Sequence, residues 1–281
     1  MQIITDPKEF QSVCWSWRSQ GLTSALVPTM GFLHAGHISL FSWARANAQK
    51  VAASIFVNPT QFGPGEDLDR YPRDPEGDAA KAREAGVDVL FLPEPGAMYP
   101  EGFATKVSVS GLTEGLCGAS RPGHFDGVAT VVTKLLLLAM PSAAVFGQKD
   151  WQQLAMIRRM VRDLDIPVAI EGRPIHREAD GLAMSSRNVY LSPQDRALAP
   201  HIQKGLRAAR DWKAQGVTSA RELTERLLAY YKENIPSARP DYVACVHPES
   251  MLPLEDASGP ALIAVALFFP GARLIDNLLL D

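Results

Sequence analysis

The sequence contains few cysteines, no long apolar run and no large excess of either charge. Its three cysteines, Cys14, Cys117 and Cys245, lie far apart among 281 residues, a spacing that suits neither a zinc site nor a disulfide framework. We interpret them as reduced thiols in a cytosolic protein. The formal net charge of −3 provides no field for a polyanion, so nucleic acid is not an expected partner.

Membrane attachment and secretion are also not expected. The most apolar run, residues 135–140, is far too short to cross a bilayer. The first eleven residues, MQIITDPKEFQ, lack the basic-then-apolar order of a secretion signal. With an ordinary globular composition of 46% hydrophobic and 21% charged residues, the chain is expected to be cytoplasmic and to act on small molecules.

Short apolar runs alternate with segments of helical periodicity through the first 175 residues. The predicted strands are 24–28, 51–57, 87–92, 143–146 and 167–171, and the predicted helices are 37–48, 75–85, 127–139 and 150–163. This alternation predicts an α/β fold in which crossover helices connect a parallel sheet, as in a Rossmann-like domain.

A different pattern follows from about residue 176 to residue 281. Ser192-Pro193-Gln194-Asp195 combines an N-cap serine, a proline in the first helical turn and an acidic third position. A helical pair at 196–215 and 219–234 is predicted to follow, and then strands at 241–247 and 261–269. We expect a smaller α+β C-terminal domain, with its boundary near residues 174–179.

Two histidines lie where the first predicted strand turns into the first predicted helix. The segment runs Pro28-Thr29-Met30-Gly31-Phe32-Leu33-His34-Ala35-Gly36-His37, and phosphate groups bind at such helix N-termini in parallel-sheet proteins. Imidazole can donate hydrogen bonds to phosphate oxygens. The alternative is a pair of exposed histidines that only cap the helix. The order His-x-Gly-His after a strand and a turn resembles the nucleotidylyltransferase superfamily, which indicates adenylyl transfer without naming the substrate.

Amide side chains follow the second predicted strand. Asn58 and Gln61 lie in Phe56-Val57-Asn58-Pro59-Thr60-Gln61, and an amide can both donate to and accept from a hydroxyl, a carboxylate or an amine. A plain Asn-Pro turn is the alternative interpretation.

Three later segments carry further polar groups. Arg121 precedes the long apolar helix, although a capped loop with one surface arginine would look the same. Lys149 follows a strand and can bind phosphate, with Asp150 as an N-cap for the next helix. The segment Met184-Ser185-Ser186-Arg187 offers hydroxyls and a guanidinium that could close on a triphosphate, or serves as a polar interdomain linker.

Taken together, these five segments resemble the pantothenate synthetase family of pantoate–β-alanine ligases, and the resemblance extends over the whole chain to Arg273-Leu274-Ile275-Asp276-Asn277. It implies that ATP and (R)-pantoate form an enzyme-bound pantoyl adenylate and pyrophosphate, after which β-alanine displaces AMP to give pantothenate. It also implies an ATP- and pantoate-binding catalytic domain at 1–175, a C-terminal lid domain at 176–281, Mg²⁺ accompanying the triphosphate, and a homodimer formed through the N-terminal domain.

The same resemblance assigns the site residues. His37, as proton donor, His34, Lys149 and Arg187 are the implied catalytic groups; our own interpretation makes both histidines stabilisers of phosphate charge first. The implied pantoate-binding residues are Gln61, Gln153, Asn58 and Arg121, with Gln61 also near β-alanine. The implied ATP contacts are Met30, Gly31, Phe32, Leu33, His34, Ala35, Gly36, His37, Gly147, Gln148, Lys149, Asp150, His176, Met184, Ser185, Ser186 and Arg187.

Three positions depart from the family pattern: Cys117 and Gln148 replace common glutamates, and His176 replaces an apolar residue near the expected adenine. No side-chain metal site is predicted. The acidic residues Asp67, Asp69, Asp74, Glu76 and Asp78 are interpreted as a solvated loop. Two other functions stay open: a nucleotidylyltransferase that leaves the nucleotide on its product, and a non-catalytic nucleotide-binding paralogue.

Overall fold

A computed structural model describes residues 1–280 and contains a six-stranded parallel sheet. Its strands are β1 (Gln2–Ile4), β2 (Ser24–Thr29), β3 (Lys50–Ile55), β4 (Val89–Phe91), β5 (Ala143–Gly147) and β6 (Ala169–Arg173), in the order β1-β4-β3-β2-β5-β6. The predicted parallel sheet is confirmed. Strand β1 was not predicted, because three residues are too few to show a periodicity.

Helices lie between these strands in the order of the chain. They are α1 (Pro7–Ser19), α2 (Ala35–Asn47), α3 (Pro75–Glu84), α4 (Pro95–Met98), α5 (Cys117–Ser120), α6 (His124–Ala139) and α7 (Trp151–Asp163). Helix α1 was missed although Asp6 caps it by accepting from the backbone N–H groups of Lys8 and Glu9, with Pro7 in the first turn. The described residues include no helix both long and apolar enough to cross a membrane.

The C-terminal part contains a helical pair and a three-stranded antiparallel sheet. Its elements are α8 (Pro193–Leu198), α9 (His201–Ala214), α10 (Ala220–Asn234), β7 (Arg239–Val246), β8 (Ala261–Phe268) and β9 (Arg273–Leu280), with strand order β7-β8-β9. The Ser192 cap is confirmed, since its Oγ accepts from the Asp195 N–H at 3.1 Å. The predicted helix 196–215 is interrupted before Pro200, whose missing N–H cannot continue the helical ladder. Strand β9 was not predicted.

The chain divides into two compact units. The first comprises Met1–Val109, Arg121–Gln148 and Met156–Pro174, and the second comprises Ser110–Ser120, Lys149–Ala155 and the chain from Ile175 onward. The last of these divisions falls between Pro174 and Ile175. Lys149 was predicted to lie in the N-terminal domain, but it belongs to the second unit, although β5 of the first sheet ends only two residues earlier.

Strands β2 and β5 are hydrogen-bonded neighbours at the point where the strand order reverses. The connection after β2 leads through α2 to β3 on one side, and the connection after β5 leads through α7 to β6 on the other. Ligands of open α/β sheets bind in the crevice outside the carboxyl ends of strands at such a point. The histidine segment begins at the carboxyl end of β2, so the topology places it at this crevice.

Candidate active site

The two histidines form the first turn of α2. His34 is the N-cap, and its Nδ1 accepts from the Gly36 N–H at 3.2 Å. The Nδ1 of His37 accepts from the His34 N–H at 3.3 Å, so the pair makes a reciprocal capping box. The ring centroids lie 4.1 Å apart, and both side chains are half-buried.

These hydrogen bonds determine where each ring carries its proton. A nitrogen that accepts a backbone N–H holds no proton itself, so the proton of each neutral ring is on Nε2. Both rings therefore direct an Nε2–H donor away from the backbone that they cap. Together with the N-terminal end of the α2 dipole, these donors form an arrangement that favours an anion. Both histidines do cap the helix, and the capping bonds themselves orient the donors.

The turn before the histidines is strained and held by a buried carboxylate. Gly31 and Phe32 both have positive φ, 84° and 51°, and a Cβ on Gly31 would lie 2.8 Å from Ile55 Cγ2. Asp78, on α3, accepts from the Phe32 N–H at 2.7 Å and from the Leu33 N–H at 2.6 Å. Its exposed fraction is 1%. The interpretation of Asp78 as part of a solvated acidic loop is wrong, because its carboxylate supplies the partners that this backbone turn requires.

The amide of Gln61 is oriented by Asn58. Asn58 Nδ2 donates to Gln61 Oε1 at 3.1 Å and to the Gly127 carbonyl at 3.1 Å, while Asn58 Oδ1 accepts from the hydroxyls of Thr60 and Tyr99. Since Oε1 is occupied, Gln61 presents its Nε2 donors, one of which meets only the weak acceptor Met30 Sδ at 3.1 Å. With an exposed fraction of 1%, Asn58 lies beneath Gln61 as its support.

Close packing of α6 fixes the same turn. A Cβ on Gly127 would approach within 2.3 Å of the Thr60 carbonyl oxygen and 2.6 Å of the Gln61 nitrogen, so only glycine allows this contact. Burial raises the pKa of Tyr99, which keeps its phenol protonated and able to donate to Asn58 Oδ1 at 2.8 Å. The Gln61 turn is therefore rigid on two sides.

Arg121 is engaged by neighbouring protein groups. Its Nε and one terminal nitrogen donate to the two Glu66 carboxylate oxygens at 2.8 and 2.6 Å, and that terminal nitrogen also donates to the Gln61 carbonyl at 3.3 Å. Burial alone would raise the pKa of Glu66, but the hydrogen bond and charge of Arg121 outweigh it and lower that pKa. The carboxylate is thus ionised at neutral pH, and Arg121 anchors the Gln61 backbone.

The second unit carries Lys149, Asp150 and two glutamines. Gln148–Asp150 form a single 3₁₀ turn before α7; the Lys149 Nζ lies 4.0 Å from Asp150 Oδ2, and the Asp150 side chain is half-exposed. Gln152 accepts from the Cys117 N–H and donates to the Leu112 and Gly115 carbonyls. Gln152 is therefore buried and bonded to backbone groups of its own unit. Gln153 is half-buried and is the more accessible of the two glutamines.

Residues 176–184 form a short hairpin. The Met184 N–H donates to the His176 carbonyl at 3.0 Å, and Arg177 pairs with Ala183 in an antiparallel bridge. Ser185 Oγ then accepts from the Arg187 N–H at 3.3 Å and begins a 3₁₀ turn at Ser186–Tyr190. Ser186 is buried whereas Ser185 is half-buried, so Ser185 is the more accessible hydroxyl.

Cys117, which replaces a glutamate common in the family, packs within the second unit. Its Sγ is 3.2 Å from the Tyr242 hydroxyl and 3.5 Å from an Arg273 nitrogen, and Arg273 forms a salt bridge with Asp241 at 2.6 Å. A glutamate here would be a further charge beside this ion pair. Cys117 instead contacts the Tyr242 hydroxyl and the Arg273 guanidinium.

Sequence reasoning missed Asp78 and Glu66, whose partners lie far along the chain. The only usable signal for Asp78 was its place on the apolar face of α3, beside the buried Ala79 and Ala82.

The sheet topology defines a Rossmann-like protein, and the histidine turn lies at the switch point where such proteins bind ligands. A family model described as pantoate-beta-alanine ligase matches residues 2–279. The chain belongs to the pantoate–beta-alanine ligase family, and it is therefore an enzyme of the ligase class.

Individual relatives agree over their full length. The pantothenate synthetase of Oleidesulfovibrio alaskensis is 57% identical over 280 residues, covering 100% of both chains. A crystal structure of pantothenate synthetase from Thermus thermophilus has a TM-score of 0.92 and 51% identity, covering 99% of each chain. A pantoate-beta-alanine ligase from Francisella tularensis, complexed with beta-gamma ATP and beta-alanine, has a TM-score of 0.82 and 35% identity, covering 99% of this chain and 97% of that one.

Proposed function

We propose that the protein condenses (R)-pantoate with β-alanine to form pantothenate, through an enzyme-bound pantoyl adenylate. A carboxylate is a poor electrophile, so a pantoate carboxylate oxygen first attacks the α-phosphorus of ATP and pyrophosphate leaves. The β-alanine amine then attacks the acyl carbon, loses a proton and displaces AMP. The observation that carries this proposal is the pair of Nε2–H donors at the N-terminus of α2, at the switch point of the sheet.

Charge at the phosphates is the first requirement of adenylyl transfer. As pyrophosphate leaves, negative charge grows on the α-phosphate and on the leaving oxygens, and fixed donors stabilise that charge without reorganising. His34 and His37 are proposed to supply these donors in the first unit. The neutral His37 ring shares its Nε2 hydrogen with a phosphate oxygen in a hydrogen bond, whereas the proton-donor role implied by its family position would require the protonated imidazolium form.

The polarity of Gln61 supports its assignment to pantoate. Because Gln61 Oε1 already accepts from Asn58 Nδ2, the Nε2 end of the amide is the donor that Gln61 offers, and it suits the carboxylate and hydroxyl oxygens of pantoate better than an ammonium group. A ligand oxygen would also replace the weak contact to Met30 Sδ with a stronger hydrogen bond. Arg121, Gln153 and the Asn58 support complete the proposed pantoate residues.

The second unit is proposed to contribute the other ATP contacts. Lys149, Ser185, Ser186 and Arg187 are assigned to the phosphates and Asp150 to the ribose. His176 and Met184 of the same unit, and Gly147 and Gln148 of the first unit, are further proposed ATP contacts. Lys149 and Arg187 supply positive charge, and Ser185 supplies an accessible hydroxyl. His176 meets the adenine through its backbone in this proposal, so its departure from an apolar side chain changes only the surroundings of the base.

Mg²⁺ is proposed as the companion of ATP. Among residues 1–280 no group of three or more His, Cys, Asp or Glu side chains could hold a metal ion. The ion would therefore be bound mainly by phosphate oxygens, as Mg²⁺ commonly is in nucleotide sites. It would neutralise the departing pyrophosphate.

The two competing activities are separated by one assay. Labelled pyrophosphate is expected to exchange into ATP only when pantoate is present, and addition of β-alanine is expected to release AMP. A nucleotide retained on the final product would instead support a nucleotidylyltransferase, and no exchange at all would support a non-catalytic paralogue. Either result would refute the proposed reaction.

Replacement of Gln61 by alanine is expected to raise the Michaelis constant for pantoate at least about tenfold, the loss associated with one hydrogen bond to a charged group. The constant for ATP is expected to change by less than about twofold, because Gln61 lies on the turn after β3 and not in the α2 cap. Steady-state kinetics with each substrate varied in turn would measure both, with the exposed Gln194→Ala as control. An effect confined to ATP would contradict the placement of pantoate.

We also propose a cytoplasmic homodimer formed through the first unit. Family membership supports the dimer. The three cysteines are free thiols, which supports a reducing compartment. Sedimentation equilibrium of the purified chain would test the dimer, for which a monomer at micromolar concentration would be the opposing result.

A further inference from the structure

Two consecutive residues of β9 contact two separate segments of the second unit. Asp276 binds the side chain of Arg177, at the base of the 176–184 hairpin. The next residue, Asn277, donates from Nδ2 to the Lys149 carbonyl at 2.9 Å. The hairpin leads directly into Ser185 and Arg187, so this dipeptide joins both segments that are proposed to bind phosphate.

The contact between Arg177 and Asp276 is a buried, two-pronged ion pair. The two terminal nitrogens of Arg177 donate to the two carboxylate oxygens at 2.7 and 2.9 Å, and the Asp276 side chain is only 2% exposed. Such planar pairs restrict orientation as well as distance. Arg177 also donates to the Gly181 carbonyl at 3.2 Å within the hairpin, so the pair holds the turn of the hairpin and its base together.

Asp276 and Asn277 are also linked to each other. The Asp276 Oδ1 accepts from the Asn277 backbone N–H at 2.8 Å, and both residues are held in register by β8, where Ala264 pairs with Asn277 and Val265 with Asp276. Movement of the Lys149 turn or of the 176–184 hairpin would therefore have to break its contact with β9 or shift that strand. The residues are buried at 3% and 5% exposure, out of contact with solvent.

We infer that Asp276 and Asn277 are positioning residues for ATP, which set the Lys149 backbone and the Met184–Arg187 segment at a fixed separation. The inference rests on the proposed function, since it takes those two segments as the phosphate contacts of this unit. Neither residue need touch ATP. Their effect is to place an ammonium, a hydroxyl and a guanidinium so that all three can reach one triphosphate, and small misplacements of such groups carry large rate costs.

The decisive variant is Asn277→Ala, because it removes the side-chain hydrogen bond to the Lys149 carbonyl and leaves the buried ion pair of Arg177 and Asp276 intact. Its matched control is Asn234→Ala, which removes an Nδ2 bond of the same 2.9 Å length, to the Tyr230 carbonyl at the end of α10. Two reactions would be measured for both variants: pantoate-dependent exchange of pyrophosphate into ATP, and pantothenate formation from supplied pantoyl adenylate and β-alanine.

We expect Asn277→Ala to reduce kcat/KM for ATP in the exchange reaction at least about tenfold and to leave the reaction of supplied adenylate within about twofold of wild type. Asn234→Ala is expected to leave both reactions unchanged. Equal losses in both reactions, or equal effects of the two variants, would assign Asn277 a purely structural role and overturn the inference. Absence of exchange in the wild-type protein would instead refute the proposed function, so the two failures are distinguishable.

Arg177→Lys provides an independent check on the other half of the dipeptide. Lysine keeps the charge opposite Asp276 but cannot form the two-pronged contact. We expect a folded protein, by circular dichroism, with the same selective loss in the exchange reaction. A variant with normal ATP kinetics would show that the geometry of this pair is not needed, and would overturn the role of Asp276.

Discussion

Replacement of His37 by alanine is expected to reduce pantoyl adenylate formation by about 10²- to 10³-fold, the range for loss of one preorganised transition-state donor. The structure gives the reason: His37 Nδ1 is held by the His34 N–H, so the Nε2 hydrogen is fixed in direction. The measurement is pantoate-dependent pyrophosphate exchange, with the folded state checked by circular dichroism. The capping bond from the His34 N–H is worth about 1 kcal/mol, a loss that a folded domain tolerates.

A suitable control for this variant is His201→Ala, which removes a half-buried histidine that contacts the Tyr230 hydroxyl in the second unit. It is expected to retain normal exchange. Near-normal turnover of the His37 variant would refute the donor role, and the histidine pair would then have to be interpreted as a helix cap alone.

Replacement of Asp78 by alanine is expected to reduce both stability and adenylate formation. Two backbone N–H groups, of Phe32 and Leu33, would lose their contact with this carboxylate, and the loss of the acceptor of the buried Leu33 N–H alone costs about 1–3 kcal/mol. The turn would also lose the contact that holds Phe32 at a positive φ. We expect at least about a tenfold loss of exchange, since a shift of the histidine loop by about 1 Å can cost far more.

The two hydrogen bonds that Asp78 accepts from the Phe32 and Leu33 N–H groups are called the clamp. Two further variants separate the effect of the clamp from the effect of a negative charge nearby. Asp69→Ala removes an exposed carboxylate from the preceding loop and is expected to change neither stability nor exchange. Asp78→Asn keeps one acceptor oxygen and is expected to recover part of both losses. If Asp78→Ala destabilised the fold but left the kinetics of the remaining folded protein unchanged, the clamp would have no influence on the site.

Periodicity and capping signals predicted most of the fold because they are local. The alternation up to residue 175 identified five of the six strands of the parallel sheet, and the Ser192 cap located the start of α8. Strand β9 escaped prediction because its sequence, RLIDNLLL, mixes apolar residues with a buried aspartate and asparagine. Those two polar residues are tolerated only because partners distant in sequence satisfy them.

The candidate site also contains features that are local in the sequence and features that depend on distant residues. The histidine segment was predictable because the motif and its place after a strand are both local features. The support of Gln61 by Asn58 and Gly127, the clamp by Asp78 and the contact of Asn277 with Lys149 depend on pairs separated by as many as 128 positions. Sequence patterns at short spacing contain no information about such pairs.

The bonds around Gln61 have a consequence for how binding free energy is used. A free glutamine side chain loses about 1.5–2 kcal/mol of rotamer entropy when it becomes fixed. In this protein that loss occurs during folding, because Asn58 and Met30 hold both ends of the amide before any substrate arrives. The substrate therefore meets an amide that is already ordered. The free energy of the hydrogen bond between Gln61 and the substrate then contributes to affinity without being reduced by a loss of rotamer entropy.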